Sequence, residues 1–406
     1  MKKIFFLSKG VPDKNRKWGS TINSLVRKCF ENENFEIISI YLDEINKESK
    51  IVDSNSKEYS FSIKLNFFEK ITTWLINALT IFHFPLRRKF NIFIKSLDKP
   101  DVVICMNTLS GYIAQDIKCK KIIFVGENEK ILYKNQILNK LNLNFFKSLI
   151  FFFKNVPYYL FSNISSCRLY NKFNKIFFWG YHDFLFYKKK LSFKKLSYIE
   201  NPVEFKDQTD KQNVHNIDNN LIYFQDKVKE SNKYNILIIG HLRATHQVEG
   251  LTFFFKKVKK ELMKINLWNN LNIFIIGKFE PNIFLKKISK FNNVHFTGFV
   301  ENINYFYDNS DCNLIISTPN LGNRSRVLDF WINKTPVVMR GNSLNYPQLI
   351  DKFNGLFGIS PKSIASAIKE VTSNEILKRK ITLNGYETAK NSFDLKDFKQ
   401  KLFREI

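Results

Sequence analysis

Short, strongly apolar runs that end in glycine recur along this chain, and each gives way to a longer segment with helical spacing. YNILIIG (234–240) and LNIFIIG (271–277) are the clearest, and KKIIFVG (120–126) and NKIFFWG (174–180) repeat the pattern in the first half. Runs this short, rich in Ile and Phe and apolar on both faces, are what a strand needs when helices cover both sides of its sheet. Strands alternating with helices make βαβ units, and βαβ units build parallel sheets.

The alternation runs twice. In the first half, strands are expected at 3–8, 35–42, 100–107, 120–126, 174–180 and 197–203, with helices starting near Thr21 and Ser110. Residues 204–234 are mostly polar and lack periodicity, so they read as a linker or surface excursion. Strands resume at 234–240, 271–277, 293–299, 312–318 and 335–341, with helices at 245–264, 302–310 and 324–333. Thr245 is the expected N-cap of the first of these. The organisation expected is therefore an N-terminal α/β domain (1–205), a polar linker (206–233) and a second α/β domain (234–385). A C-terminal helix (386–406) could pack back on the first domain.

A chain of 406 residues has ample material for two such cores. Five cysteines, Cys29, Cys105, Cys119, Cys167 and Cys312, form no CxxC pair, which points away from a disulfide framework or a zinc site and fits a reducing cytoplasm. The opening run IFFLS is too short for a signal peptide. The longest uncharged apolar stretch, 74–86, is too short to cross a bilayer and contains Pro85.

The formal net charge is +27, which raises nucleic acid or an anionic surface as partners. Lysine-rich composition lowers the weight of the total, and no nucleic-acid-binding signature is visible. The distribution is more telling. Residues 144–195 hold ten Lys or Arg, eighteen Phe, Tyr or Trp, and the single acid Asp183. A second basic, aromatic segment is HFPLRRKFNIFIK (83–95). Aromatic rings beside lysines suit a membrane interface with anionic lipid. The competing expectation is that these are core helices with lysines on their wet side.

One stretch concentrates chemistry. In GNRSRVLDFWINKTPVV (322–338), Arg324 and Arg326 stand at the start of a helix, where the macrodipole disfavours cations. An anionic ligand would offset that cost, and an arginine fork suits diphosphate oxygens. Asp329 follows Arg326 by three residues and shares its helix face. Strands ending at Gly126, Gly240, Gly277 and Gly298 would present backbone N–H groups at the carboxyl edge of each sheet, where α/β folds hold phosphorylated ligands.

These segments resemble the C-terminal domain of the glycosyl transferases group 1 class, family four-like, of the GT-B fold. The resemblance runs from about 197 to 341 and rests on YIENPV, on ILIIGHL…VEGL, on NVHFTGFVENINYFYDNSDCNLIIST and on GNRSRVLDFWINKTPVV. It implies two Rossmann-like domains with parallel sheets facing each other across a cleft, the first for the acceptor and the second for a nucleotide-sugar donor. By the resemblance, Asp329 would bind the ribose hydroxyls, and Gly298 and Val300 would offer backbone groups to the base. Gly322 and Asn323 would let the chain approach the donor. Arg324 and Arg326 would hold the diphosphate and stabilise it as it leaves. His241, Arg243 and His246 occupy the loop that contacts the diphosphate in such enzymes. The first of the two carboxylates usual in the class falls on Leu321, so only Asp329 remains. Gly10 and Gly19 would line the first domain's side of the cleft as turn residues. Glu127, Asn128 and Glu129 follow Gly126 at the expected cleft, where one could touch the acceptor or assist proton transfer, with Glu127 the catalytic candidate; His182 is a similar, weaker one.

The implied activity is sugar transfer, with retention at the anomeric carbon, from a nucleotide-sugar onto a glycan or lipid-linked acceptor in cell-surface polysaccharide (lipopolysaccharide, capsule or O-antigen) synthesis. No cofactor and no metal is expected. The expected location is the cytoplasm, at the inner face of the membrane. Two alternatives stay open: a sugar-nucleotide epimerase of the same fold, and a non-enzymatic basic surface-binding protein.

Overall fold

The structure is a computed structural model. It describes residues 2–9, 18–31, 33–43, 50–53, 56–62, 69, 84–126, 128–131, 133–134, 145–205, 228, 232–240, 244–278, 286, 288–300, 303–317, 319 and 325–405. The chain forms two compact units. Met1–Glu204 with Phe393–Ile406 make the first, and Phe205–Asn320 with Arg324–Ser392 the second.

The first unit is built on β1 (Lys2–Lys9), β2 (Phe35–Asp43), β3 (Lys50–Asp53), β4 (Ser56–Ser62), β5 (Val102–Cys105), β6 (Lys120–Val125), β7 (Lys175–Phe178) and β8 (Leu196–Tyr198). They form one sheet in the order β3-β4-β2-β1-β5-β6-β7-β8. All neighbours are parallel except the β3–β4 edge pair. The central strands are buried on both faces, as their continuous apolar runs require. The sequence pattern did not show β3 and β4. Neither KIVD nor SKEYSFS is a continuous apolar run; β3 is the edge strand, and β4 lies between it and β2.

The helices described in this unit are α1 (Trp18–Lys28), α2 (Phe84–Ile94), α3 (Thr108–Ala114), α4 (Phe145–Asn171) and α5 (Tyr181–Lys188). α3 begins two residues before the expected Ser110 because Asn107 and Ser110 form a reciprocal capping box.

The second unit holds β9 (Tyr234–Ile239), β10 (Leu271–Ile276), β11 (Val294–Gly298), β12 (Cys312–Ile315), β13 (Val337–Arg340) and β14 (Leu356–Gly358). All six are parallel, in the order β11-β10-β9-β12-β13-β14. This is the doubly wound arrangement, and the order reverses between β9 and β12. After β9 come α6 (Thr245–Phe253), a π turn (Phe254–Val258) and α7 (Lys259–Lys264). Thr245 is not the N-cap: Ala244 holds that position and makes no side-chain cap. Next in the chain are α8 (Asn304–Asp308), α9 (Ser325–Ile332), α10 (Pro361–Ser373) and α11 (Glu375–Ser392).

The expected boundary at 385/386 is corrected by the structure. α11 runs through it without a break, and the chain leaves the second unit only after Ser392. The amphipathic helix α12 (Leu395–Phe403) then buries Phe398 and Leu402 among Val26, Phe30, Phe177 and Trp179 of the first unit. Backbone bonds from Val203 N–H to Phe393 (2.8 Å) and from Leu395 N–H to Val203 (3.0 Å) fix the return. Nearly all of the expected linker, 206–233, lies outside the described residues.

Candidate functional site

The carboxyl edge of the second sheet gathers the glycine-ended strands. Gly240 follows β9, Gly277 follows β10, and Gly298 closes β11. Gly277 stands at φ +137°, and a Cβ there would lie 1.7 Å from the Gly240 carbonyl oxygen. No other residue fits that position. The Gly240 N–H donates to Ile276 (2.8 Å) and the Gly277 N–H to the Gly298 carbonyl (2.7 Å), so the three strand ends are locked in step.

α9 starts at this edge, beyond β12. Val327, Leu328, Phe330 and Trp331 are its buried face, and Trp331 Nε1 donates to the Asn354 carbonyl (2.8 Å). That face holds the helix against the sheet and leaves Arg326 and Asp329 on the remaining row. Both residues are partly exposed overall, but their polar ends are enclosed. Arg326 Nη1 is buried and has no hydrogen-bond partner. It comes within 3.1 Å of where a Gly240 Cβ would stand. The glycine at the end of β9 is therefore what admits the guanidinium.

Burial disfavours the charge on Arg326 and pushes the Asp329 carboxyl well above the usual range, while Arg326 pulls that carboxyl down. The guanidinium stays charged at any working pH. An enclosed cation with an unmet donor, at the switch point of a doubly wound sheet, is a ready anion site.

Two residues that the sequence pattern did not mark complete this cluster. Gln247, in the first turn of α6, is buried, and its Oε1 would lie 3.0 Å from a Gly240 Cβ. Tyr307 of α8 has its pKa raised chiefly by burial and feels both charges: Asp329 raises it further and Arg326 lowers it. His246, the residue expected at this loop, sits partly exposed beside Gln247. Val300 is partly buried after Gly298, whose φ is +73°. The Gly298 carbonyl also accepts from Thr297 Oγ1 (3.1 Å), so both its bonds are made within the edge. Arg324, Gly322, Asn323, His241, Arg243, Glu127 and Gly10 lie outside the described residues. Gly19 falls within the first turn of α1 instead of in a turn before it, because the helix begins at Trp18.

In the first unit, the segment after Gly126 turns inward. Asn128 is fully buried; its side chain accepts from the N–H groups of Lys130 (3.0 Å) and Ile131 (3.3 Å), and its own N–H donates to Asp183 (3.2 Å). It is a structural cap. Glu129 Oε2 accepts from Ser166 Oγ (3.0 Å) and lies 3.3 Å from the Tyr112 hydroxyl. Burial raises its pKa to about 7. His182 is half-buried, its Nδ1 has no partner, and burial lowers its pKa, favouring the neutral imidazole. Among the described residues no cluster of three or more His, Cys, Asp or Glu could hold a metal ion.

Residues 233–374 match the family model described as Glycosyl transferases group 1. The match lies within the second unit, which is similar to that family over those residues. The chain has the GT-B fold, with one Rossmann-like sheet in each unit, parallel apart from the β3–β4 pair in the first. No curated protein sequence matches it. Solved structures resemble it along its length at low identity. Sucrose-phosphate synthase from Thermosynechococcus elongatus superposes with TM-score 0.66 at 11% identity, covering 100% of this chain and 98% of that one. Anabaena HepE in complex with UDP-glucose gives 0.66 at 11%, covering 100% and 99%. The E. coli structure described as trehalose-6-phosphate bound with UDP-2-fluoro glucose gives 0.69 at 9%, covering 100% and 98%. At such identities the likeness speaks for the fold.

Proposed function

We propose that this chain is a glycosyltransferase that takes its sugar from a uridine diphosphate sugar held by the second unit. The observation that carries the reading is the buried, unpartnered Arg326 Nη1 over Gly240, with Asp329 one turn further on. Arg326, with Arg324 and Arg243, meets the diphosphate, and His241 and His246 flank it. Asp329 accepts from the ribose hydroxyls, and Gly322 and Asn323 allow close approach. With the Gly298 carbonyl engaged, Val300 is the backbone that meets the base. As the bond to the sugar breaks, charge grows on the leaving diphosphate, and a preformed guanidinium stabilises that charge more than the ground state. The arginines supply this charge, so the reaction is proposed to run without a metal or other cofactor. UDP-glucose and UDP-2-fluoro glucose are named in the HepE and E. coli structures, which supports uridine as the first base to try. Calorimetry with UDP, GDP and ADP tests it; no measurable binding of any of them would sink the reading.

The acceptor is proposed to be a glycan or lipid-linked glycan of cell-surface polysaccharide synthesis, recognised by the first unit, with retention at the anomeric carbon. Glu127 remains its candidate for proton transfer. A peripheral position on the inner face of the cytoplasmic membrane goes with that acceptor. Support comes from the first unit's surface. Its exposed large hydrophobics among the described residues are Ile92, Phe152, Leu160, Ile164 and Phe193, all on α2, α4 or the turn after α5. Positions 152, 160 and 164 follow one i, i+4 row of α4. Asp116 pairs with both Arg87 of α2 and Lys172 just past α4, so the two helices present one surface. Exposed Arg88, Lys89, Lys188, Lys189 and Lys190 border it. No described helix is long and apolar enough to cross a membrane. The protein should pellet with anionic vesicles at low salt and be released near 1 M salt, where the Debye length is about 3 Å. Equal pelleting with neutral vesicles would remove the electrostatic part of this reading.

A further inference from the structure

We infer that Glu129 is a proton-operated latch: its protonated carboxyl fastens residues 128–131, just after β6, onto α3 and α4, and loss of the proton releases them. The inference concerns the first unit and does not depend on the donor-site reading. Glu129 stands partly exposed on the segment, with its carboxyl end turned in among buried groups. Ser166 of α4 donates to Oε2 (3.0 Å), and the Tyr112 hydroxyl of α3 lies 3.3 Å from the same oxygen. Both contacts fall on one oxygen, and from the described residues Oε1 receives none. A protonated carboxyl suits this arrangement, since one oxygen accepts while the other carries the proton; a carboxylate needs donors on both. Tyr112 is also a weak donor here, because its single proton has a nearer acceptor in Ser165 Oγ at 2.9 Å.

The surroundings supply no countercharge. α3 contributes Tyr112, α4 contributes Ser165, Ser166, Cys167 and Tyr170, and α5 contributes Asp183 and Tyr187. Burial pushes the three tyrosines and Cys167 upward, which keeps them neutral. Asp183 is an acid itself and accepts from the Asn128 N–H (3.2 Å). On the segment, the Lys130 ammonium lies over the Tyr159 ring, 5.3 Å from its centre. Among the described residues no Lys or Arg pairs with Glu129. Enclosing a carboxylate without a cation and with few donors is costly, and burial accordingly raises its pKa from 4.5 to about 7.

Release of the segment relieves that cost by returning the carboxylate to water. The N–H groups of Lys130 and Ile131 bond back to Asn128, so they hold the segment's own turn and not its attachment. The closed form binds the proton more tightly than the open one. Closure is therefore fully supported below about 4.5, weakens as pH rises, and has lost this support above about 7.

Hydrogen exchange followed by NMR on the full chain reads this opening amide by amide. After correction for the intrinsic pH dependence of exchange, the amides of Lys130 and Ile131 should exchange faster than those of the core strand β5 at every pH. Their opening equilibrium should grow about tenfold per pH unit between 4.5 and about 7 and then level off. Glu129→Gln keeps an acceptor oxygen and cannot ionise, so it should hold the segment closed with no such slope. A wild-type opening that ignores pH overturns the latch. A slope that survives in Glu129→Gln also overturns it, because another group then titrates. Exchange of Lys130 and Ile131 only in step with β5 would show that the segment never opens on its own, and would overturn it as well.

Discussion

Replacing Arg326 by Met keeps most of the aliphatic stem and removes only the planar, charged end. The end removed is specific: Nη1 is buried beside Gly240 and has no protein partner, so a diphosphate oxygen is its first full hydrogen bond. A charge-assisted bond of this kind contributes about 1.5–3 kcal/mol, or roughly 10- to 150-fold in the dissociation constant for UDP. Uridine, which lacks phosphates, should bind both proteins alike. Arg326→Lys should recover only part of the loss, because an ammonium cannot reproduce the fork. Asp329→Asn should weaken UDP and uridine together, since it acts on the ribose. In a thermal-shift assay with UDP at 100 times the wild-type dissociation constant, ligand stabilises wild type by about 2.7 kcal/mol. A 30-fold weaker variant would retain about 0.9 kcal/mol of that stabilisation by the same relation. UDP affinity equal in wild type and Arg326→Met would refute the reasoning, because a buried donor that a ligand satisfies cannot be deleted without cost.

Other outcomes follow from the same geometry. Glu129 has its pKa raised by burial from 4.5 to about 7, with Tyr112, Tyr170 and Tyr187 facing it as neutral groups. Its contribution to stability is full below the unfolded value and is lost as pH rises through about 7. Glu129→Gln should therefore flatten the unfolding free energy between those limits, by roughly 3 kcal/mol at most; an unchanged pH profile in chemical denaturation would show that the carboxyl is not enclosed. Gly277→Ala should destabilise the second unit by at least about 2 kcal/mol, since its new methyl meets the Gly240 carbonyl; circular dichroism melts would reveal a tolerated substitution. Proton NMR of the product against the donor should show the anomeric configuration retained, and an inverted product would reassign the mechanism.

Much of this fold was legible because strand and helix spacing is a local property. Ile236, Leu237 and Ile238 are apolar on consecutive positions because both faces of β9 are covered, and that pattern is present in seven letters of sequence. Arg326 and Asp329 could be paired in advance for a similar reason: three residues along a helix is a fixed geometry. The chain alone also marked the glycine at each strand end. It did not say what those glycines admit. That Gly240 makes room for an arginine 86 positions later is a fact of the β9–β12 neighbourhood, set by strand order and by how Trp331 seats α9. Gln247 and Tyr307 were invisible for the same reason, since neither belongs to a pattern and each matters only through what packs beside it. Strands β3 and β4 escaped because neither KIVD nor SKEYSFS carries a continuous apolar run. The late exit of α11 and the return of Phe398 and Leu402 to the first unit escaped because a helix end there is decided by which core has space for those side chains. Sequence determined the elements and the residue types at their ends. Long-range packing decided which charge would be buried without a partner, because only the folded neighbourhood sets solvation, and that unmet donor carries the proposed donor site.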